Sequence, residues 1–205
     1  MKYFITGIGT NVGKTIVSAI LTEALQADYW KPIQSGTIDG KDADVTQSYI
    51  SNSTTIIHPE TYSLKAPQSP HFAAELENIM IDMNHINLPV TSNKLIIEGA
   101  GGLLVPINDV YCVIDVAKKC QSDIILVISN YLGCINHSLL SINYLLQHQY
   151  PIKAVVFNGT FEKQVKQAIL NHVPQWVAII DIPTLSVLSK ESIKECAAGI
   201  DLSIF

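Results

Sequence analysis

The sequence predicts an α/β fold, a single domain built on a mostly parallel sheet with helices on both faces. Three observations predict it. Short aliphatic runs alternate with longer amphipathic stretches along the chain. Glycine, lysine, acid and amide residues follow directly on those runs, where an open parallel sheet places its ligands. The composition, 48% apolar and 15% charged over 205 residues, suits one domain (1–205) that buries roughly 70% of its unfolded surface.

In chain order, Tyr3–Thr6 reads as a buried strand, and Ile16, Ile20, Leu21 and Leu25 recur at helical spacing after it. Tyr29–Trp30 is a second, short strand. From Gln34 to Pro70 the chain is rich in Ser, Thr, Asp and Gly, which predicts an irregular excursion over the sheet edge. Ser69-Pro70 is a helix start signal, and the helix is expected over Phe72–Ile86. Leu95–Ile97, Ile124–Ser129, Ala154–Phe157 and Val177–Ile182 read as further strands. Ile135, Leu139, Ile142 and Leu146 mark a helix over Ile135–His148.

All 13 basic residues are lysine, because the chain contains no arginine. That excludes an arginine finger in cis and any bidentate guanidinium clamp on phosphate or carboxylate. A net charge of −5 argues against a nucleic-acid or anionic-membrane partner. Cys112, Cys120, Cys134 and Cys196 form no C-x-x-C pair and lack zinc-ligand spacing to histidine, which predicts reduced thiols. The N-terminal run is too short and glycine-rich for a signal peptide, and no apolar run reaches membrane-spanning length, so a cytoplasmic location is expected.

Thr6-Gly7-Ile8-Gly9-Thr10-Asn11-Val12-Gly13-Lys14-Thr15 runs from the first strand into a helix. Its glycines let successive N–H groups point into one concavity, and the helix start adds partial positive charge. Lys14 can reach outer phosphates, and the Thr15 hydroxyl can take a place on Mg²⁺. The chain departs from G-x-x-x-x-G-K-T by one residue, since isoleucine stands at position 8 and Gly7 makes the loop longer. Strand, loop, Gly-Lys-Thr and amphipathic helix in that order predict a nucleotide site of the P-loop NTPase kind.

Glu98 ends the aliphatic run Leu95–Ile97, so an acid follows directly on a buried strand, as a solvated strand-end cap or as a buried carboxylate that needs a cation or metal. Gly99-Ala100-Gly101-Gly102 after it suggests close backbone approach to a ligand. Asp42 and Asp44 lie in the polar excursion; each alone is a surface acid or helix cap, and either could be a second metal carboxylate. Lys31 is held extended by Pro32 and points off the end of the second strand, as a phosphate or oxyanion clamp or as a surface lysine. Gly133 and Asn136 open the helix Ile135–His148, where free N–H groups could hold a carboxylate or ordinary capping could operate. No histidine completes a catalytic triad; His71 and His137 lie in loops at the functional edge.

These segments together, with Lys31-Pro32-Ile33-Gln34-Ser35-Gly36, Ser69-Pro70-His71 and Leu132-Gly133-Cys134-Ile135-Asn136-His137, resemble dethiobiotin synthetase. The resemblance runs from residue 3 to about residue 185, and the longer phosphate loop is the form that family uses. It implies ATP- and Mg²⁺-dependent closure of 7,8-diaminononanoate with CO₂ (bicarbonate) into the ureido ring of dethiobiotin, in a homodimer.

The resemblance further implies Lys14 and Lys31 as catalytic cations, and Mg²⁺ on Thr15, Asp44 and Glu98. Nucleotide contacts fall on Asn11, Val12, Gly13, Lys14, Thr15 and Ile16, on Gly99, Ala100 and Gly101 beside Glu98, and on Asn158, Pro183, Thr184 and Leu185. Ser35 would bond the carbamate. Leu132, Gly133, Cys134, Ile135 and Asn136 of one subunit would receive the carboxylate of substrate bound mainly by the other. Tyr131 stands where relatives often carry lysine, and Asn11 replaces a frequent glutamate. No acid falls into the ribose position, Lys190-Glu191 being nearest. The chief rival is a nucleotide switch of the partitioning or septum-positioning type, but the loop has no early extra lysine and the segment 192–205 holds only one. A cobyrinate-type synthase would need a glutaminase domain that 205 residues cannot hold.

Overall fold

The computed structural model describes residues 1–205. In chain order the elements are β1 (Lys2–Gly7), α1 (Lys14–Leu25), β2 (Asp28–Trp30), β3 (Ile33–Gln34), α2 (Asp42–Tyr49), β4 (Ile57–His58), β5 (Tyr62–Ser63) and α3 (Pro70–Leu76). There follow β6 (Leu95–Gly102), α4 (Val113–Cys120), β7 (Asp123–Ser129), α5 (Cys134–Gln147), β8 (Ile152–Asn158), α6 (Lys163–Leu170), β9 (Ala178–Ile182) and α7 (Lys190–Ala198).

Seven strands form one sheet in the order β4-β2-β6-β1-β7-β8-β9, and every ladder in it is parallel. The chain steps from β1 outward to β2 and β4, then from β6 across β1 to β7, β8 and β9. Right-handed crossovers in opposite directions put α1 on one face and α4, α5 and α6 on the other. α7 packs on α1, so both faces are covered. This is why the inner strands read as unbroken aliphatic runs rather than alternating patterns. Tyr3, Phe4, Ile5, Ile96, Ile97 and Ile124–Ile128 are fully buried within one continuous core.

The excursion 34–70 is more regular than its composition predicts. It contains α2, supplies the edge strand β4, and forms a second two-stranded parallel sheet from β3 and β5. The helix expected over Phe72–Ile86 ends at Leu76 instead. Asn78 adopts a left-handed conformation, φ 53°, while Ile79 N–H bonds Ala74 O and Asn78 N–H bonds Glu75 O. That pair of bonds closes the last turn and turns the chain out of the helix axis. A single turn of 3-10 helix at Met83–His85 is all that follows. β6, expected over Leu95–Ile97, continues to Gly102, which pairs with Gly7 after an irregularity in the register. No helix is long and apolar enough to cross a membrane.

Candidate active site

β1, β2 and β6 deliver their C-terminal ends to one cleft of about 810 Å³. The phosphate loop forms one wall. Gly13 caps α1 with φ 89°, a conformation an L side chain rarely adopts, and a Cβ there would lie 2.1 Å from Asn158 Nδ2. Asn158 reaches the loop from the end of β8 and donates to Val12 O at 2.9 Å. The first turn of α1 has neither an acidic residue nor a side-chain cap, so its N–H groups are free to receive an anion. Lys14 is buried and rests its Nζ on Gly9 O at 3.0 Å. Burial pulls its pKa down to about 8, against the smaller upward pull of Glu98.

Opposite the loop, a compact charged cluster joins three elements. Glu98 on β6 is 1% exposed, and its Oε1 accepts from Thr15 Oγ1 at 3.0 Å and from Lys31 Nζ at 3.1 Å. Thr15 Oγ1 also lies 2.7 Å from Asp42 Oδ1, so its single proton is shared between the two carboxylates, and Lys31 Nζ bonds Asp42 Oδ2. Burial pulls the pKa of Lys31 down, but Glu98 and Asp42 outweigh it and hold the ammonium above its ordinary pKa. Burial likewise pushes Asp42 up, and Lys31 with the hydroxyl of Thr15 more than reverses this, leaving its carboxyl below the usual range.

The acid expected here was Asp44; the structure puts Asp42 in its place. The two residues share α2 and are two apart, which on a helix turns them about 200° from each other. Ala43 and Thr46 are the buried positions, and Asp44 is exposed. Gln34 fixes the helix start by accepting from Asp42 N–H at 3.1 Å. The signal lay in the burial pattern of a short helix within a polar stretch.

Thr15 Oγ1, Asp42 Oδ1 and Glu98 Oε1 form an oxygen-only donor set, the kind that a small hard cation takes. No cluster of three or more His, Cys, Asp or Glu exists, so any remaining positions on such an ion would fall to phosphate or water. Ser35 also lines the cleft, and its Oγ is buried with no hydrogen-bond partner, which points to a ligand.

Other expected residues are placed variously. Asn11, Ile16, Ala100 and Gly101 line the cleft. Gly99 does not line it, and a Cβ there would lie 2.9 Å from the Phe4 ring and 3.0 Å from Val113, so packing alone requires glycine at that position. Val12 turns its side chain into the core over Gly7 and offers only backbone. Pro183, Thr184 and Leu185 follow β9 beside Asn158, with Thr184 Oγ1 3.2 Å from Thr160 Oγ1.

The Leu132–Asn136 turn lines none of the cleft. Leu132 is fully exposed at the start of α5, whereas the Cys134 side chain is buried. Beside this turn Tyr131 Oη and His137 Nδ1 lie 2.7 Å apart over a separate hollow. His71 belongs to a second groove, and Glu191 lies in the first turn of α7. Sequence reasoning missed Asp42's partner Gln34 and also Tyr29, whose buried phenol donates to Glu98 Oε2 at 2.9 Å.

The profile of a family described as an AAA domain matches residues 1–192. An ATP-dependent dethiobiotin synthetase of Cytophaga hutchinsonii is 48% identical over 172 residues, covering 83% of this chain and 83% of that protein. That of Lawsonia intracellularis is 41% identical over 194 residues, 95% and 93% of the two chains. That of Agrobacterium fabrum is 36% identical over 198 residues, 97% and 93%. Matches at this level over most of both chains show the family, and the chain belongs to the dethiobiotin synthetases.

Proposed function

We propose that this protein is an ATP-dependent cyclo-ligase of biotin biosynthesis that joins 7,8-diaminononanoate and CO₂ into dethiobiotin, releasing ADP and phosphate. One amine adds to CO₂, loses a proton and becomes a carbamate. A carbamate oxygen attacks the γ-phosphorus and ADP departs. The second amine then attacks the activated carbon, phosphate leaves, and the amine gives up its proton. Two anions must meet in the second step. Lys14 on the phosphate side and Lys31 on the opposite wall are the cations of the cleft, and the chain has no arginine to replace them. Mg²⁺, held by Thr15, Asp42 and Glu98, would add screening of phosphate charge when bound.

Ser35, with its unpartnered hydroxyl, bonds the carbamate. Asn158 and Pro183–Leu185 cradle the base and ribose, and the N–H groups at Gly133–Asn136 receive the substrate carboxylate across a homodimer interface. The turn's exposure and its separation from the cleft of its own chain support that arrangement. Residues 1–205 act as one domain, and four free thiols agree with the cytoplasm. No protein nucleophile is needed, because holding both amines over one carbon makes closure intramolecular, an effect worth roughly 7–11 kcal/mol at best.

The observation that carries this reading is Lys31, buried against Glu98 in the same cleft as Lys14 and the orphaned Ser35 hydroxyl. Phosphate release should require Mg-ATP, bicarbonate and diamine together. Diamine-independent hydrolysis that Lys31→Ala leaves unchanged would assign a nucleotide switch instead.

A further inference from the structure

Glu98 has a partner that neither nucleotide nor substrate explains. Tyr29 pairs with Ile96 in the β2–β6 ladder, so Tyr29, Lys31 and Glu98 share one face of the sheet. Tyr29 is fully buried and does not line the cleft. Its hydroxyl donates to Glu98 Oε2 at 2.9 Å, while both Thr15 and Lys31 bond the other oxygen, Oε1. The carboxylate is thereby divided: one oxygen is spent on a phenol inside the core, and one faces the cleft.

We infer that Tyr29 is a positioning residue that restricts Glu98 to one oxygen towards the cleft, and that this restriction sets the preference of the site for Mg²⁺ over Ca²⁺. The inference rests on the reading that Thr15, Asp42 and Glu98 hold the metal. Mg²⁺ keeps near-octahedral geometry with one or two carboxylates, whereas Ca²⁺ accepts six to eight oxygens and readily takes both oxygens of one carboxylate. A glutamate with a committed Oε2 disfavours the second mode. Freeing Oε2 opens it and also lets the carboxylate rotate.

The test measures ADP binding by calorimetry in Mg²⁺, in Ca²⁺ and in chelator, for the unaltered protein, Tyr29→Phe and Tyr3→Phe. Tyr3 is a second buried tyrosine whose hydroxyl bonds Phe205 O far from the cluster, so it controls for the loss of a core phenol. In the unaltered protein Mg²⁺ should strengthen ADP binding more than Ca²⁺ does. Tyr29→Phe should raise the half-saturating Mg²⁺ concentration about 10–100-fold, the usual effect of losing an outer-shell partner. The Mg²⁺/Ca²⁺ ratio should fall with it, and metal-free ADP affinity should stay within about twofold. Tyr3→Phe should leave the ratio alone. An unchanged ratio in Tyr29→Phe overturns the inference while the metal site stands. So does an equal change in Tyr3→Phe, or a loss in Tyr29→Phe that is as large without metal. No strengthening by Mg²⁺ in the unaltered protein would instead remove the metal reading itself, and this inference with it.

Discussion

Replacing Lys31 by methionine keeps most of the side-chain volume and removes one charge, leaving Glu98 and Asp42 without their ammonium. At 3.1 Å from Glu98, and with an effective dielectric constant near 20, the lost attraction is about 5 kcal/mol. Part of this is offset because the ammonium no longer has to be desolvated. Asp42, with a side chain 27% exposed, can regain water; Glu98, at 1%, cannot. Broken buried pairs cost about 3–5 kcal/mol, and the partial rehydration of Asp42 puts this one near the lower end, about 3 kcal/mol. For a chain of this length that lowers Tm by roughly 6–12 °C.

The sign with pH follows from both partners. Asp42 has a depressed pKa, so its contribution is present above the ordinary carboxylate value and is lost as pH falls. Lys31 has a raised pKa, so its contribution is present below the ordinary lysine value and is lost as pH climbs past its folded value. The gap between the two proteins should therefore be a plateau around pH 7 that closes towards pH 3. Urea unfolding followed by circular dichroism at pH 7 and pH 3, without nucleotide, reads it directly. A difference under 1 kcal/mol at pH 7, or one that persists undiminished at pH 3, would refute the account of the cluster. The same variant should lose about 10²–10³-fold in diamine-dependent phosphate release.

Asp42→Asn should weaken Mg-ADP binding at least tenfold while Asp44→Asn leaves it within twofold, as calorimetry would show; equal effects would return Asp44 to the site. Gly13→Ala should destabilise the protein by about 1–2 kcal/mol from backbone conformation alone, and abolish nucleotide binding by displacing Asn158, a loss measurable by equilibrium dialysis. With Lys14 at about 8 in the free protein, a bound phosphate chain raises its pKa, so binding takes up a proton above pH 8. ADP affinity should be flat below that value and fall by up to about tenfold per pH unit above it, with uptake visible as a buffer-dependent enthalpy. Gln26, at φ 47° past the end of α1, should tolerate glycine with a gain of up to about 1 kcal/mol, seen as a rise in Tm.

Much of the fold was legible because its signals are local. Ile124–Ser129 is aliphatic on both sides because that strand is covered on both faces, and Gly13 tolerates no side chain because its left-handed backbone opens α1 whatever surrounds it. Less was legible where a long-range partner decides. The stop after Leu76 depends on Asn78 accepting a left-handed conformation, which no glycine announces. β4 is only Ile57–His58, too short to show a period, and owes its place to pairing with β2. Gly99 looked like part of a ligand loop, yet what needs it small is the Phe4 ring across the ladder.

By itself the sequence determined the alternation of strand and helix, the nucleotide loop with Lys14 and Thr15, and the requirement that an arginine-free chain neutralise its anions with lysine. Only tertiary structure decided which acid joins Glu98 and which oxygen of Glu98 faces the cleft. The first depends on the rotational phase of α2, set by Gln34 and the buried side of Ala43 and Thr46; the second depends on a phenol delivered from a neighbouring strand. Both are matters of direction in space, and residue order carries direction only after the elements have packed.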